Sequence, residues 1–178
     1  MQDINISESD LEQAKNRYSF NNLKNSISKG TRQIYGALGE IIILKYYKNK
    51  FSEKQYKTTI VDESTYDYDL IINNKTVEVK TKMIKFTPQK DYVVSVACSN
   101  DKQNYDYIFF TIVHENMTKG WLLGFMPKKD FEDKRIFCKK GELCPVNPKN
   151  GYRVAQDCWS LSINNITYPI YPTGLHFK

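Results

Sequence analysis

Residues 67–82 read DYDLIINNKTVEVKTK, and this stretch predicts a tight β-hairpin. Two runs rich in apolar and β-branched residues, 70–72 and 76–81, flank the dipeptide Asn73-Asn74. Asparagine tolerates the positive φ angles that a two-residue hairpin turn requires, and β-branched residues favour strands. The stretch therefore predicts two antiparallel strands that meet at this turn.

The turn also predicts which residues lie opposite each other. Counted outward from Asn73-Asn74, the pairs are Ile72–Lys75, Leu70–Val77, Asp69–Glu78 and Asp67–Lys80. Side chains alternate between the two faces of a strand. The predicted ionic face carries Asp67, Asp69, Glu78 and Lys80, and the predicted apolar face carries Leu70, Val77 and Val79.

The predicted pair Asp69–Glu78 brings two carboxylates together on neighbouring strands. Directly opposed residues have Cβ atoms about 4.5–5.5 Å apart, and like charges at that separation destabilise an antiparallel pair. A divalent cation would compensate for the repulsion, because hard ions such as Mg²⁺ bind carboxylate oxygens and keep several waters. We therefore expect a metal site at the hairpin.

Asp69, eight intervening residues and then Glu78-Val79-Lys80 together resemble the metal-binding motif of the PD-(D/E)XK nuclease superfamily. The resemblance is confined to these positions, and Tyr68 stands where the motif has proline. It implies an α/β (α+β) fold with a restriction-endonuclease-like core, in which helices flank a mixed central β-sheet. It also implies a DNA-cleaving enzyme in which Asp69 and Glu78 bind Mg²⁺ or Mn²⁺ and Lys80 assists the attacking water or the scissile phosphate.

A glutamate on the preceding helix is a further candidate. The longest predicted helix begins after Thr31 as N-cap and runs to about Tyr47, and Glu40 has small or apolar neighbours three and four positions away. A buried carboxylate without a partner is costly, whereas one beside a groove is solvated. The resembled family often has an extra acidic residue on this helix, which implies catalytic and metal-binding roles for Glu40. Both interpretations stay open.

The two glycines of this helix, Gly36 and Gly39, each cost about 1 kcal/mol relative to alanine in a helix interior. We therefore expect another backbone to approach the helix closely at these positions.

Length and composition are typical of a globular domain. The chain has 178 residues, of which 40% are hydrophobic and 13% aromatic, enough for a substantial core. It contains no apolar run of the roughly 18–20 residues that cross a bilayer and begins with polar residues, so we expect a cytoplasmic protein without membrane contact. The four scattered cysteines predict free thiols, and their spacing does not suit structural zinc.

The net charge of +6, from 26 basic and 20 acidic residues, favours an anionic partner such as nucleic acid without requiring one. Most of the positive charge is lysine, which contacts phosphate as a point charge, whereas base reading favours arginine. We therefore expect contacts to the DNA backbone with little sequence readout. The candidate DNA contacts are Lys82, Arg32 and Lys29, and a solvated side chain is the alternative for Lys82.

Residues 1–30 are predicted to form an N-terminal helical extension. A loose tail reaches about residue 8, and a capping box of Ser9 and Glu12 precedes a helix from about Asp10 to Leu23. A linker follows at 21–30. The extension could pack on the main domain or mediate self-association in a homodimer, and the sequence leaves both open.

Residues 31–178 are predicted to form a single nuclease-like domain with a mixed sheet of four to six strands. Outside the hairpin, strands are expected at about 56–61, 92–97, 106–113, 121–126 and 159–163, with a helical turn at 127–133. The C-terminal third is expected to extend the sheet. The functional alternative is a noncatalytic nucleic-acid-binding or interaction protein that retains the fold.

Overall fold

The structure is a computed structural model that describes residues 1–17, 32–52, 57–60, 67–89 and 91–166. These residues form an α+β fold with three α-helices and nine strands. The helices are α1 (Glu8–Arg17), α2 (Arg32–Lys50) and α3 (Lys128–Lys134). The strands are β1 (Gln2–Asn5), β2 (Thr58–Ile60), β3 (Leu70–Ile72), β4 (Lys75–Ile84), β5 (Val93–Ala97), β6 (Tyr107–His114), β7 (Lys119–Pro127), β8 (Ile136–Cys138) and β9 (Cys158–Ser162). None of the helices in the described ranges has the length and apolar character of a membrane span.

Six strands form the larger sheet, in the order β1-β7-β6-β4-β3-β2. Neighbouring strands are antiparallel except β4 and β6, which run parallel from the pair Val77–Tyr107 to the pair Ile84–His114. Parallel neighbours need a crossover connection. The chain between β4 and β6 includes β5, which leaves this sheet and joins another, so the sheet is mixed as predicted.

The smaller sheet has three antiparallel strands in the order β5-β9-β8. In the C-terminal third, β7 belongs to the larger sheet, as predicted, whereas β8 and β9 do not extend that sheet and pair in the small sheet with β5. Val94, Val96 and Leu161 of this small sheet pack against Ile108 and Phe110 of β6. The local pattern predicted the strands β5 and β9 but could not show which neighbours they would pair with.

The first residues are part of the larger sheet, and the prediction of a loose tail is wrong. β1 is an edge strand that pairs with β7, and Ile4 is buried. Ser7 and Asp10 cap α1 reciprocally: Asp10 Oδ2 accepts from the Ser7 N–H at 2.7 Å, and Ser7 Oγ accepts from the Asp10 N–H at 3.3 Å. This pair replaces the predicted box of Ser9 and Glu12. Residues 18–31, which include the rest of the predicted helix, the linker and Thr31, lie outside the described residues.

α2 packs on one face of the larger sheet, against Val77 and Val79 of β4. A Cβ added at Gly39 would lie against Thr81 Oγ1 and 2.6 Å from Thr111 Oγ1. The sheet therefore approaches Gly39 closely, but through threonine side chains and not through a backbone as expected. At Gly36 the expectation is wrong for the described residues, because an added Cβ would meet none of their atoms within 4 Å.

The small sheet covers the opposite face of the larger one, so β6 is buried on both faces, as its continuous apolar character predicts. Side chains alternate along β4. Because Val77 and Val79 point toward α2, the side chains of Glu78, Lys80 and Lys82 point into the layer between the two sheets.

Candidate active site

The turn of the β3–β4 hairpin has the predicted geometry. Asn73 and Asn74 have φ angles of 50° and 63°, which a two-residue hairpin turn requires at both positions. The ladder next to the turn pairs Ile72 with Lys75 and Leu70 with Val77, as predicted. The local sequence is therefore sufficient to set the register near the turn.

The ladder ends at Leu70, so the predicted direct opposition of Asp69 and Glu78 is not part of it. The Asp69 N–H donates to the Val77 carbonyl at 2.9 Å. Asp69 Oδ2 accepts a hydrogen bond from the Val79 N–H at 2.7 Å. The carboxylate of Asp69 is therefore anchored to the backbone of β4. It takes the place of the backbone carbonyl that would accept from the Val79 N–H if the ladder continued.

Asp67 does not lie opposite Lys80 as predicted. Its Oδ1 accepts from the Asn104 N–H at 3.2 Å. Lys80 instead donates to Glu78 Oε1 and, at 3.1 Å, to Gln103 Oε1. The ionic face of the hairpin is completed by the segment that precedes β6.

The carboxylate of Glu78 is buried, with the residue only 3% exposed. Its Oε1 is bonded to Lys80, and its Oε2 has no hydrogen-bond partner among the described residues. Burial raises the pKa of Glu78 to about 8, and the negative charge of Asp69 adds to the rise, while Lys80 and Gln103 oppose it. A buried polar atom without a partner is destabilising, so this oxygen is a candidate ligand atom for a cation.

Gln103 is a site residue that carries no sequence signal. It is buried, accepts from Asn100 Nδ2 at 2.8 Å and donates its backbone N–H to the Asn100 carbonyl at 3.0 Å. These contacts hold its side chain beside Lys80, although the two residues are 23 positions apart. A glutamine in a polar segment is ordinary, so only the fold could reveal this contact.

Glu40 is buried, but the structure does not bring it into a metal cluster with Asp69 and Glu78. No group of three Asp, Glu, His or Cys side chains suited to a metal ion occurs in the described part of the chain. The alternation of side chains along β4 directs Glu78 away from α2. The helix that carries Glu40 lies on the face of Val77 and Val79, whereas Glu78 points to the other face.

Lys82 lines a cavity of about 350 Å³ between the two sheets, which Lys80 also lines. The Lys82 ammonium lies 5.1 Å from the ring centroid of Tyr92 and 5.1 Å from that of Tyr152, within the range of a cation–π interaction. Burial lowers the pKa of Lys82. Lys82 is therefore enclosed between aromatic rings, and the solvated alternative does not describe it.

The structure adds little about the other two predicted DNA contacts. Arg32 is the first residue of α2, and Lys29 lies outside the described residues.

The cysteines are free thiols, as predicted. They are Cys98, Cys138, Cys144 and Cys158.

No model of a known protein family matches the chain, and no curated protein has a significant sequence match to it. The resemblance to PD-(D/E)XK nucleases therefore depends on the hairpin residues of the sequence alone.

Proposed function

We propose that the protein is a metal-dependent nuclease that hydrolyses phosphodiester bonds of DNA. The observation that carries the proposal is the buried carboxylate of Glu78, held between Asp69 and Lys80 on a strand face that leads into a basic cavity. Burying one carboxylate next to a second one destabilises a fold, so a purely structural role does not account for it. An enzymatic role accounts for it, because carboxylates with perturbed pKa values are typical of functional sites.

We further propose that the larger sheet is a restriction-endonuclease-like core. Its mixed strand order, the helix α2 on one face and the Asp69-bearing hairpin agree with that fold. The second face departs from the expectation of flanking helices, because the small sheet covers it.

The two carboxylates fit a hard divalent cation. Glu78 Oε2 is buried without a hydrogen-bond partner in the described residues, and Asp69 is held nearby through the Val79 N–H. Mg²⁺ is commonly held by one or two protein carboxylates together with water and substrate phosphate, so a third carboxylate from Glu40 is not required. When bound, Mg²⁺ or Mn²⁺ would polarise the phosphate and offset the charge that develops during hydrolysis.

Lys80 supplies the protein's own positive charge at this site. Glu78 Oε1 and Gln103 Oε1 both accept from its Nζ and so orient the ammonium. An oriented ammonium beside the reacting phosphate stabilises negative charge in the transition state. In this proposal Lys80 is a catalytic residue and Gln103 is a positioning residue.

The second candidate function is noncatalytic binding of nucleic acid by the same fold. One observation favours it: the described residues contain no cluster of three metal-ligating side chains, while the cavity that Lys80 and Lys82 line is basic. Binding needs the lysines alone, whereas hydrolysis also needs the carboxylates.

The deciding experiment is a cleavage assay on linear, nicked, branched and single-stranded DNA, with an RNA arm, in Mg²⁺, Mn²⁺ or EDTA. We expect cleavage that requires the metal and is absent in Glu78→Gln. The matched control is Glu115→Gln, because Glu115 is an exposed glutamate 3.7 Å from Lys85. Absence of metal-dependent cleavage of every substrate at high protein concentration would refute the nuclease proposal and favour the binding function.

A further inference from the structure

The cavity between the two sheets, here termed the inter-sheet cavity, is the right size for a small ligand. The larger sheet contributes lining residues from β4 and β6, the small sheet contributes residues from β5 and β9, and segment 152–156 completes the wall. Its volume of about 350 Å³ lies at the lower end of the roughly 300–1,000 Å³ typical of small-molecule sites. A ligand of about one nucleotide matches this volume.

The charge of the inter-sheet cavity favours an anion. Its described lining includes Lys80 and Lys82 and no acidic residue. Lys80 is countered by Glu78, whereas Lys82 makes no ion pair within the described residues. A partly buried charge is poorly screened by solvent, so an anion beside Lys82 would be attracted more strongly than at an exposed lysine.

The aromatic residues favour a ligand that also has a flat ring. Tyr92 is half-buried, and Tyr152 is 42% exposed although it lines the cavity. Val94 and Phe110 add apolar residues to the wall. Nucleobases stack on exposed aromatic rings regardless of base identity, so these tyrosines suit a base while Lys82 suits the phosphate attached to it.

We propose that the inter-sheet cavity binds one unpaired nucleotide of a DNA strand, with its phosphate at Lys82 and its base against Tyr92 and Tyr152. The biological role of this site rests on the proposed nuclease function. Lys80 and Lys82 are successive residues on one face of β4, about 7 Å apart along the strand, so the bound nucleotide lies next to the catalytic residues. A base paired in a duplex cannot enter the cavity without leaving the stack. The preferred substrates are therefore single strands, flaps and frayed ends.

The binding site is tested without metal by titrating the protein with thymidine 5′-monophosphate in EDTA. Separate titrations with inorganic phosphate and with thymidine distinguish the phosphate from the base. We expect the nucleotide to bind at least tenfold more tightly than either part, and Lys82→Met and Tyr152→Leu each to weaken it at least tenfold. Circular dichroism checks that the variants are folded. Because Tyr152 is partly exposed, Tyr152→Leu is the variant expected to disturb the core least.

Two matched controls lie outside the inter-sheet cavity. Lys129→Met removes an exposed lysine of α3, and Phe137→Leu removes an aromatic ring of β8 that is 47% exposed, close to the value for Tyr152. Both should bind the nucleotide as the parent does. Absence of nucleotide binding, equal affinity for inorganic phosphate, or unchanged affinity in both cavity variants would overturn the proposal.

Cleavage of single-stranded and blunt duplex DNA of the same sequence separates this proposal from the nuclease function. We expect the single strand to be cut at least tenfold faster, with the preference reduced in Tyr152→Leu. Nucleotide binding without cleavage of any substrate would refute the nuclease and leave the cavity site standing. Cleavage with no strand preference and no nucleotide binding would refute the cavity site alone.

Discussion

The two ends of the polar face of β4 differ in how their charges are balanced. At one end, the Lys80 ammonium is bonded to the buried carboxylate of Glu78 and to Gln103. At the other end, Lys82 lies between two tyrosine rings in a cavity whose described lining contains no carboxylate. Two lysines on one strand face therefore have different electrostatic surroundings, because the neighbouring segments decide what surrounds each ammonium.

The largest expected effect is at the carboxylates. Asp69→Asn and Glu78→Gln should each weaken Mn²⁺ binding by more than the about 10–100-fold that loss of an outer-shell partner costs, and cleavage should become undetectable. Glu40→Gln should bind Mn²⁺ as the parent does, since Glu40 is not part of the cluster. Calorimetry without DNA measures these affinities. An unchanged affinity in the Asp69 and Glu78 variants would place the ion elsewhere.

At Lys80, replacement by methionine should slow single-turnover cleavage about 10²–10³-fold, because one oriented electrostatic contact in a transition state contributes about that much. DNA affinity should change little, since one phosphate contact is a small share of the total. The control is Lys75→Met, which removes a partly exposed lysine of the same strand that is paired with Asp106 at 3.7 Å. A Lys80 variant that cuts at the parental rate with saturating DNA would limit its role to substrate binding.

Lys82→Met should act mainly on affinity. Loss of one phosphate contact should weaken DNA binding and reduce the slope of log affinity against log salt by about one. Titrations at several salt concentrations measure the slope, and single-turnover rates at saturating DNA should fall less than in the Lys80 variant. An unchanged slope combined with a rate loss as large as that of Lys80→Met would reverse the roles that we assign to the two lysines.

The smallest expected effect is a pH dependence of stability in the metal-free protein. Burial raises the pKa of Glu78 from its ordinary value of 4.5 to about 8, so between these values the folded protein keeps a proton that the unfolded chain has released. The stability linked to this proton is fully present below about pH 4.5 and is lost as the pH rises toward 8.

Urea unfolding in EDTA at several pH values tests this linkage. Relative to Glu78→Gln, which has no titrating group at this position, the parent should lose free energy of unfolding as the pH rises from 5 to 9. Parallel curves for the two proteins would show that Glu78 has an ordinary pKa in the folded state.

Much of the local structure could be predicted from the sequence. The Asn73-Asn74 turn, the register next to it and the two-sided burial of β6 agree with the structure, because turn geometry and the pattern of apolar residues depend on near neighbours in the chain. The same short-range logic places Asp69 close enough to Glu78 for their charges to interact, although the two residues are not a ladder pair.

Most of the predictions that failed concern partners that are distant in the chain, although the predicted capping box of α1 failed locally. The pairing of β1 with β7, the separate sheet of β5, β8 and β9, and the contact of Gln103 with Lys80 depend on where whole strands dock. A strand pattern shows that a segment will pair, but the backbone hydrogen bonds it offers are the same for every possible partner.

The sequence by itself determined the hairpin and the types of charged residue that the hairpin presents, since these depend on local turn chemistry and side-chain alternation. Only the tertiary structure decided that Glu78 would be buried, that the helix carrying Glu40 would pack on the other face of β4, and that Lys82 would be enclosed by tyrosines. The physical reason is that the pKa and the partners of an ionisable group depend on the atoms packed around it, and packing joins residues that are far apart in the chain.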